Sequence, residues 1–317
     1  MEKIPLVTLS QLKSKYRFIK PNRYTFLPIY PSPELAEFIG MLLSDGILNK
    51  WGTVAFVNSN EHLIGNWKEL LNQLFYKKSK VRPLTGFKHK KPDFVVRITS
   101  TAIAKVLKEI GLPHGRRSEQ LFNVPEFIRN PKKYNVLNEE CLQIQRIFLR
   151  AIFSCDGTKP LINKGKEGYR IWIRLGFNKD ERLRDNCIEF LNEIKEMLNN
   201  FDIKTTKIYH YPPRRDFFFS ITKKASILKF YNEIGYNIEY KQRELEKIKE
   251  FIKNFKTVHQ KRLETILEFL SKPRSTLEIK NMIGLHFSKA YLNLVKLQKQ
   301  GLIDRIRENN KSIWIRR

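Results

Sequence analysis

The sequence predicts an α+β protein in which one αββαββα unit is used twice, followed by a small region of different pattern. Three observations carry this. Phe38-Ile39-Gly40-Met41-Leu42-Leu43-Ser44-Asp45-Gly46 and Leu149-Arg150-Ala151-Ile152-Phe153-Ser154-Cys155-Asp156-Gly157 are the same design, an apolar helix ending in Asp-Gly. Strands and helices follow each in the same order, and the two series close on Ile110-Gly111-Leu112 and Ile234-Gly235-Tyr236. After about residue 260 the pattern changes to three short helices and two alternating strands. The expected organisation is an extension over 1–31, a first half over 32–136, a second half with a basic helical linker over 137–260, and a last domain over 261–317.

Composition limits the partners. With 60 Lys+Arg against 32 Asp+Glu in 317 residues the formal charge is +28. That is far more than solubility requires and points to a polyanion. The hydrophobic fraction of 41% supports real cores, which excludes a disordered basic tail. No window approaches the roughly 18 apolar residues of a membrane span, and Met1-Glu2-Lys3-Ile4-Pro5 lacks a signal-peptide core. The expectation is a cytoplasmic protein without a membrane partner. Cys141, Cys155 and Cys187 match neither a disulfide framework nor a zinc pattern, and read as reduced, buried, small apolar residues.

Each element has a local cause. Residues 1–31 read as an irregular, basic and aromatic extension. The first motif helix opens with Ser32 as N-cap, Pro33 at its first position and Glu34 in its first turn, and stops at Gly46. Alternation predicts strands over 53–58 and 93–98, and helical spacing predicts helices over 61–76 and 101–110. After the second Asp-Gly come a strand over 169–177, a helix over 180–200, strands near 205–209 and over 217–221, and a helix over 223–234. A charged helix over 240–260 leads to helices over 262–270, 275–279 and 288–300, then strands over 301–306 and 312–316. Three helices and a hairpin in that order describe a winged helix-turn-helix.

The motif helices carry the chemistry. Ala36, Gly40 and Ser44 form a small-residue stripe on the first, and Ala151 and Cys155 the matching stripe on the second. Small residues let two helices cross closely and bring their tips together. Asp45 and Asp156 would then meet where each helix C-terminus is already partly negative. A shared or paired hard cation such as Mg²⁺ resolves that conflict, and metal-activated water attacking a phosphodiester is the natural reaction. An ordinary core helix ending in an Asp-Gly turn accounts for one such motif but poorly for two, each opening a matching repeat.

These residues, with Ile110-Gly111-Leu112-Pro113 and Val124-Pro125-Glu126-Phe127-Ile128, resemble the LAGLIDADG homing endonucleases in their monomeric, two-motif form over about residues 33–250. The resemblance implies two pseudo-symmetric halves forming a saddle over double-stranded DNA, with a long asymmetric target. It implies a monomer using Mg²⁺, with Mn²⁺ as a substitute. By position Asp45 and Asp156 are its catalytic metal ligands, with Gly46 and Gly157 in the same metal site. Asn58 and Asn60 in the first half, and Asn178 and Lys179 in the second, take the junction role near the metals. Arg116 or Arg117, and Lys241 as the candidate catalytic lysine, take the place of the basic residue that organises the nucleophilic water or stabilises charge; for these polar residues a surface charge or phosphate contact is an equal reading. The chain departs from the family at Ala151, where Gly is usual, and Ala still permits a close crossing. Nothing resembles the ends of an intein, so a freestanding protein is expected.

Basic residues recur through the expected strands and loops: Arg82, Lys88, Lys90, Lys91 and Arg97 in the first half, Arg170, Arg174, Lys204, Lys207, Arg214 and Arg215 in the second. By parity Arg170 and Arg174 share one sheet face, with Tyr209, Tyr211 and Phe217 interleaved. At this net charge the face is expected to meet DNA. The last domain would present Ser288, Lys289, Tyr291, Asn293, Lys296 and Lys299 around a core of Leu292, Val295 and Leu297, with Arg305, Arg307, Lys311 and Arg316 on the wing. The leading expectation is a site-specific, metal-dependent endonuclease making a double-strand break. A catalytically silent DNA-binding regulator and an RNA-binding intron maturase are the alternatives on the same fold.

Overall fold

The computed structural model describes residues 2–84, 93–165, 168–254, 258–308 and 311–317. The chain divides into two compact units, Met1–Glu250 and Phe251–Arg317.

The N-terminal stretch is ordered around buried side chains. Thr8 and Gln11 form a capping box that starts α1 (Leu9–Lys15), and Val7 bridges to Ile29. Val7, Leu12, Tyr24, Phe26 and Ile29 are buried, so this segment is part of the core rather than an irregular arm. The capping box is a sequence signal, but with one buried residue in α1 there is no apolar stripe to read.

The first motif helix, α2 (Pro33–Asp45), has Ser32 as N-cap, the hydroxyl accepting from Leu35 N, and Gly46 as C-cap. β1 (Gly46–Leu48), β2 (Thr53–Asn58), α3 (Glu61–Phe75), β3 (Val81–Leu84), β4 (Asp93–Thr99) and α4 (Thr101–Glu109) complete the first half. Asn60 caps α3 and Ser100 caps α4 through side-chain oxygens. The strands form an antiparallel sheet in the order β1-β2-β4-β3. Phe38 from α2 and Phe56 from β2 both stack on Trp67 of α3, which fixes helices to sheet.

A short α5 (Glu126–Arg129) leads to the second motif helix, α6 (Asn138–Cys155). Then follow β5 (Leu161–Gly165), β6 (Gly168–Asn178), α7 (Arg184–Asn199), β7 (Tyr209–Tyr211), β8 (Asp216–Ile221) and α8 (Lys224–Glu233). The sheet order β5-β6-β8-β7 repeats that of the first half, which establishes the duplication. β1, β3 and β5 are absent from the sequence reading because they are short edge strands, and β3 contains Pro83. The strand expected near 205–209 is displaced to β7, where Tyr209 and Tyr211 register with Phe218 and Asp216.

The halves meet along α2 and α6. A Cβ at Gly40 would come within 2.8 Å of Ala151 Cβ and 3.0 Å of Phe148 O, so only the missing side chain permits this approach. Leu35, Phe38, Ile39, Leu43, Phe148, Leu149, Ile152 and Phe153 are almost completely buried around the crossing.

The division between units falls within α9 (Glu239–Asn254). The second unit contains α10 (Val258–Phe269), β9 (Arg274–Ser275), α11 (Thr276–Ile283), α12 (Phe287–Lys299), β10 (Ile303–Glu308) and β11 (Lys311–Arg316), with sheet order β10-β11-β9. Ile266, Leu270, Ile279, Leu294, Leu297, Ile303 and Trp314 form its core. The expected face of α12 is rotated: Asn293 is 7% exposed and Leu292 64% exposed. Leu292 and Leu294 offer two competing apolar stripes, and Ala290, Leu294 and Leu297 at i, i+4 and i+7 take the core.

Replacing Gly40 by Ala is expected to destabilise the first unit by about 1–3 kcal/mol through overpacking. Chemical denaturation should show much of that loss recovered when Ala151→Gly is added, because the methyl is then moved across the crossing rather than added to it.

Candidate active site

The crossing of α2 and α6 brings Asp45 and Asp156 together at matching ends of the two helices. Burial raises the pKa of both carboxyls. Asp156 is pushed up to about 6, first by desolvation and further by the charge of Asp45, against the lowering effect of Arg117.

Two basic residues stand at this place, each six residues after the glycine that closes its half. Arg117 donates from Nη1 to Leu43 O at the end of α2, and the same nitrogen lies 3.3 Å from Asp156 Oδ2. It therefore joins the helix end of one half to the carboxylate of the other. Its loop is held on both sides, Gly115 N donating to Leu48 O and Asp180 N to Ser118 O, each at 2.8 Å. Arg116, the other candidate, is exposed and pairs with Glu119 at 3.3 Å.

Lys241 is buried in the first turn of α9, its ammonium donating to Ser154 O at 2.5 Å and Gly157 O at 2.6 Å. It caps the end of α6, where the helix dipole favours a cation. Desolvation lowers its pKa, with the charges of Cys155, Asp156 and Asp45 opposing.

Asn58 donates from Nδ2 to Asp45 Oδ2 at 2.8 Å, and its Oδ1 accepts from Asn60 N at 2.8 Å. The amide is thus oriented and aims at the carboxylate. Asn178 is not its equivalent at Asp156: it lies on the outer face of β6, with Nδ2 3.4 Å from Asp216 Oδ1. Lys179, assigned the same junction role, points inward, 3.6 Å from the centre of the Phe122 ring and 3.0 Å from Asn186 Oδ1. Burial lowers its pKa to about 8. Asn178 ends β6 and Lys179 follows it, and the alternation of side chains continued past the strand end puts Asn178 outside and Lys179 inside.

Cys155 is a neighbour of both carboxylates rather than plain apolar filler, and their charges add to the burial that raises its thiol pKa. Sequence reasoning also missed Glu37 of α2, whose Oε1 accepts from Asn66 Nδ2 of the first half and Asn237 Nδ2 of the second, both at 2.7 Å. The signal was weak, one polar residue in the middle of an otherwise apolar stretch of the helix, Leu35 to Leu43.

The donor set fits a hard divalent cation. Two carboxylates share a partly closed site, while the nearby cations are also committed to helix-end carbonyls. Mg²⁺ accepts one or two carboxylates and completes its shell with water and phosphate oxygens. Gly157 O accepts from Lys241 Nζ, and Gly46 opens β1 opposite Phe56. Among the described residues no group of three or more His, Cys, Asp or Glu is arranged to hold a metal alone.

The basic residues expected at DNA fall on outer faces. Arg97 is exposed on β4 and, with Lys68, Lys77, Lys80 and Arg82, lines a cleft of about 800 Å³. Arg170 and Arg174 are exposed on β6 and Arg215 on the turn before β8. Phe217 is buried and Phe218 takes the outer position, because β8 registers Asp216 and Phe218 with Asn178 and Gly176. A cleft of about 610 Å³ runs from Asp156 past Arg174, Asn178 and Asp216 to Tyr211. Lys289 and Lys296 are exposed on α12. Arg305 packs over Trp314 and donates to Ser312 Oγ rather than extending freely from a wing. Lys88, Lys90, Lys91 and the side chain of Arg214 lie outside the described residues. No helix among them is long and apolar enough to cross a membrane.

Residues 143–235 match the family described as LAGLIDADG-like domain. The tRNA-splicing ligase RtcB of Pyrococcus abyssi is 27% identical over 215 residues, covering 65% of this chain and 22% of that protein. The replication factor C small subunit of Methanocaldococcus jannaschii is 28% identical over 179 residues, covering 54% of this chain and 9% of that protein. The chain thus spans about a fifth or less of the length of these relatives. Among solved structures, I-LtrWI, a LAGLIDADG homing endonuclease bound to target DNA, aligns with TM-score 0.46 and 14% identity, covering 75% of this chain and 97% of that one. I-DmoI in complex with DNA and Ca aligns with TM-score 0.42 and 17% identity, covering 68% and 97%.

The raised pKa of Asp156 has a pH consequence. Between about pH 4 and 6 the folded protein holds a proton that the unfolded chain releases, so metal-free stability falls as pH rises through that window. Asp156→Asn should abolish this contribution and melt a few degrees above wild type at pH 7 in EDTA, the difference vanishing below pH 4. Thermal melts of both proteins from pH 3.5 to 8 check it.

Proposed function

We propose that the protein is a site-specific, divalent-metal-dependent DNA endonuclease of the homing type, making a double-strand break with one Asp from each half. The observation that carries this is the delivery of Asp45 and Asp156 to one half-buried place by two closely crossing helices of a duplicated fold. The match of residues 143–235 to a LAGLIDADG-like domain supports it. Two carboxylates beside a polyanion are costly to a pure binder, and a metal-dependent hydrolase needs them.

Asp45 and Asp156 would hold the metal, with Mg²⁺ or Mn²⁺ supplying Lewis acidity and an activated water when bound. Asn58 orients Asp45, and Arg117 screens both carboxylates while the metal is away. Lys241 fixes the end of α6, and with it the position of Asp156. The two sheets would lie in the major groove with Arg97, Arg170, Arg174 and Arg215 toward the DNA.

The curated relatives bear two unrelated names, a ligase and a replication factor. Their matched segments overlap on this chain, because 65% and 54% of it exceed the whole. We infer that the shared segment is an endonuclease module carried within longer proteins, distinct from ligation or replication. Residues 261–317, read as a winged helix, would extend the contacted DNA and raise affinity by tethering.

The test is selection of bound duplexes from a random library in Ca²⁺, transfer to Mg²⁺, and mapping of cut ends. Paired cuts within one long asymmetric site are expected, and binding without cutting in any divalent metal would instead establish a regulator. Asp45→Asn and Asp156→Asn should each lower double-strand cleavage by at least about 100-fold with affinity retained; full cleavage by either refutes the assigned site. Truncation after Glu250 should weaken binding and leave cleavage chemistry, as gel shift and end mapping will show.

A further inference from the structure

The outer face of the second sheet contains one arginine that is held in place before anything binds. Phe218 of β8 registers with Gly176 of β6, where an added Cβ would come within 3.0 Å of Phe218 Cβ and 3.1 Å of Phe217 O. The glycine lets β6 and β8 pair here without that contact. Tyr209 stacks on Phe218 with centroids 5.6 Å apart at 24°, and the Arg174 guanidinium lies 4.1 Å from the ring centre.

The backbone of Arg174 is also fixed, its N donating to Thr158 Oγ1 at 3.0 Å and its carbonyl accepting from Thr158 N at 2.8 Å. Thr158 is two residues beyond Asp156, so this arginine is tied to the chain that carries the carboxylate. Asp156 and Arg174 line the same cleft of about 610 Å³. Two other arginines of this half, Arg182 and Arg215, are by contrast paired with Asp180. Arg97 on the first sheet is held differently, donating to Thr53 Oγ1 at 3.3 Å.

A phosphate contact needs charge and little else, and an arginine or lysine on a mobile stem provides it. A planar guanidinium stacked on an aromatic ring has given up much of its rotational freedom and presents its fork in a set plane. The major-groove feature matching that fork is guanine, with O6 and N7 accepting together. We propose that Arg174, held over the Phe218 ring, is a specificity-determining residue that reads one guanine in the half-site next to Asp156. This rests on the DNA-cleaving reading above and assigns a base preference to it.

The experiment is duplex selection in Ca²⁺ with the full chain, run in parallel for wild type, Arg174→Met and Phe218→Leu. Arg174→Met keeps the length of the stem and loses every donor. Wild type should select a guanine at a position where Arg174→Met loses discrimination by roughly 5- to 150-fold, the preferences at the rest of the site being unchanged. Phe218→Leu should weaken the same position. Replacing that guanine by 7-deazaguanine, which removes N7 alone, should reduce wild-type binding and leave Arg174→Met unaffected.

Unchanged selection by Arg174→Met, or weakening spread evenly over all sequences, would make Arg174 a backbone contact or none and overturn the proposal. Loss of discrimination with equal sensitivity of both proteins to 7-deazaguanine would overturn it too. Failure of wild type to select any duplex would instead remove the DNA reading on which the proposal rests.

Discussion

The structure depends on how closely α2 and α6 can cross. The first unit is assembled around that contact, and Gly40 against Ala151 and Phe148 O sets its distance. A few tenths of an ångström more would loosen the apolar surfaces of Phe38, Ile39, Leu149 and Ile152, which pack to native density only when the backbones approach. The same crossing decides where the helix tips lie. Packing and chemistry are therefore one constraint: what makes the core tight also places Asp45 beside Asp156.

That placement creates an electrostatic problem which the structure meets locally. Two carboxylates, two helix C-termini and low solvent access all disfavour negative charge. Arg117 and Lys241 answer it from equivalent positions, and both spend hydrogen bonds on helix-end carbonyls as well as charge on the carboxylates. The compensation is incomplete, since Asp156 still titrates near 6. A site left short of positive charge is suited to take up a cation.

The halves share a topology without being copies. Asn58 supports Asp45 directly, whereas Asn178 is turned toward Asp216 on the sheet face. The outer face of the second sheet carries Tyr209, Tyr211 and Phe218 around Arg174; on the first, Ile47, Ala55, Val57 and Val95 accompany Arg97. The two outer faces therefore differ in chemistry as well as in sequence.

Much of this was determined by the sequence alone. The two Asp-Gly helices, their caps, the duplicated order of elements and the position of both carboxylates follow from short-range rules: apolar periodicity, Ser32 and Pro33 at a helix start, Gly46 at a helix stop. Tertiary structure decided what those rules leave degenerate. Pleat and register put Phe218 rather than Phe217 outside and turned Lys179 inward; competition between two apolar stripes on α12 buried Leu294 and exposed Leu292. Arg117 was separated from Arg116 only by a loop anchored through Leu48 and Asp180, residues distant in sequence. Local patterns specify which residues face a core; only closure of the whole fold specifies which of several equivalent polar groups arrives at the site.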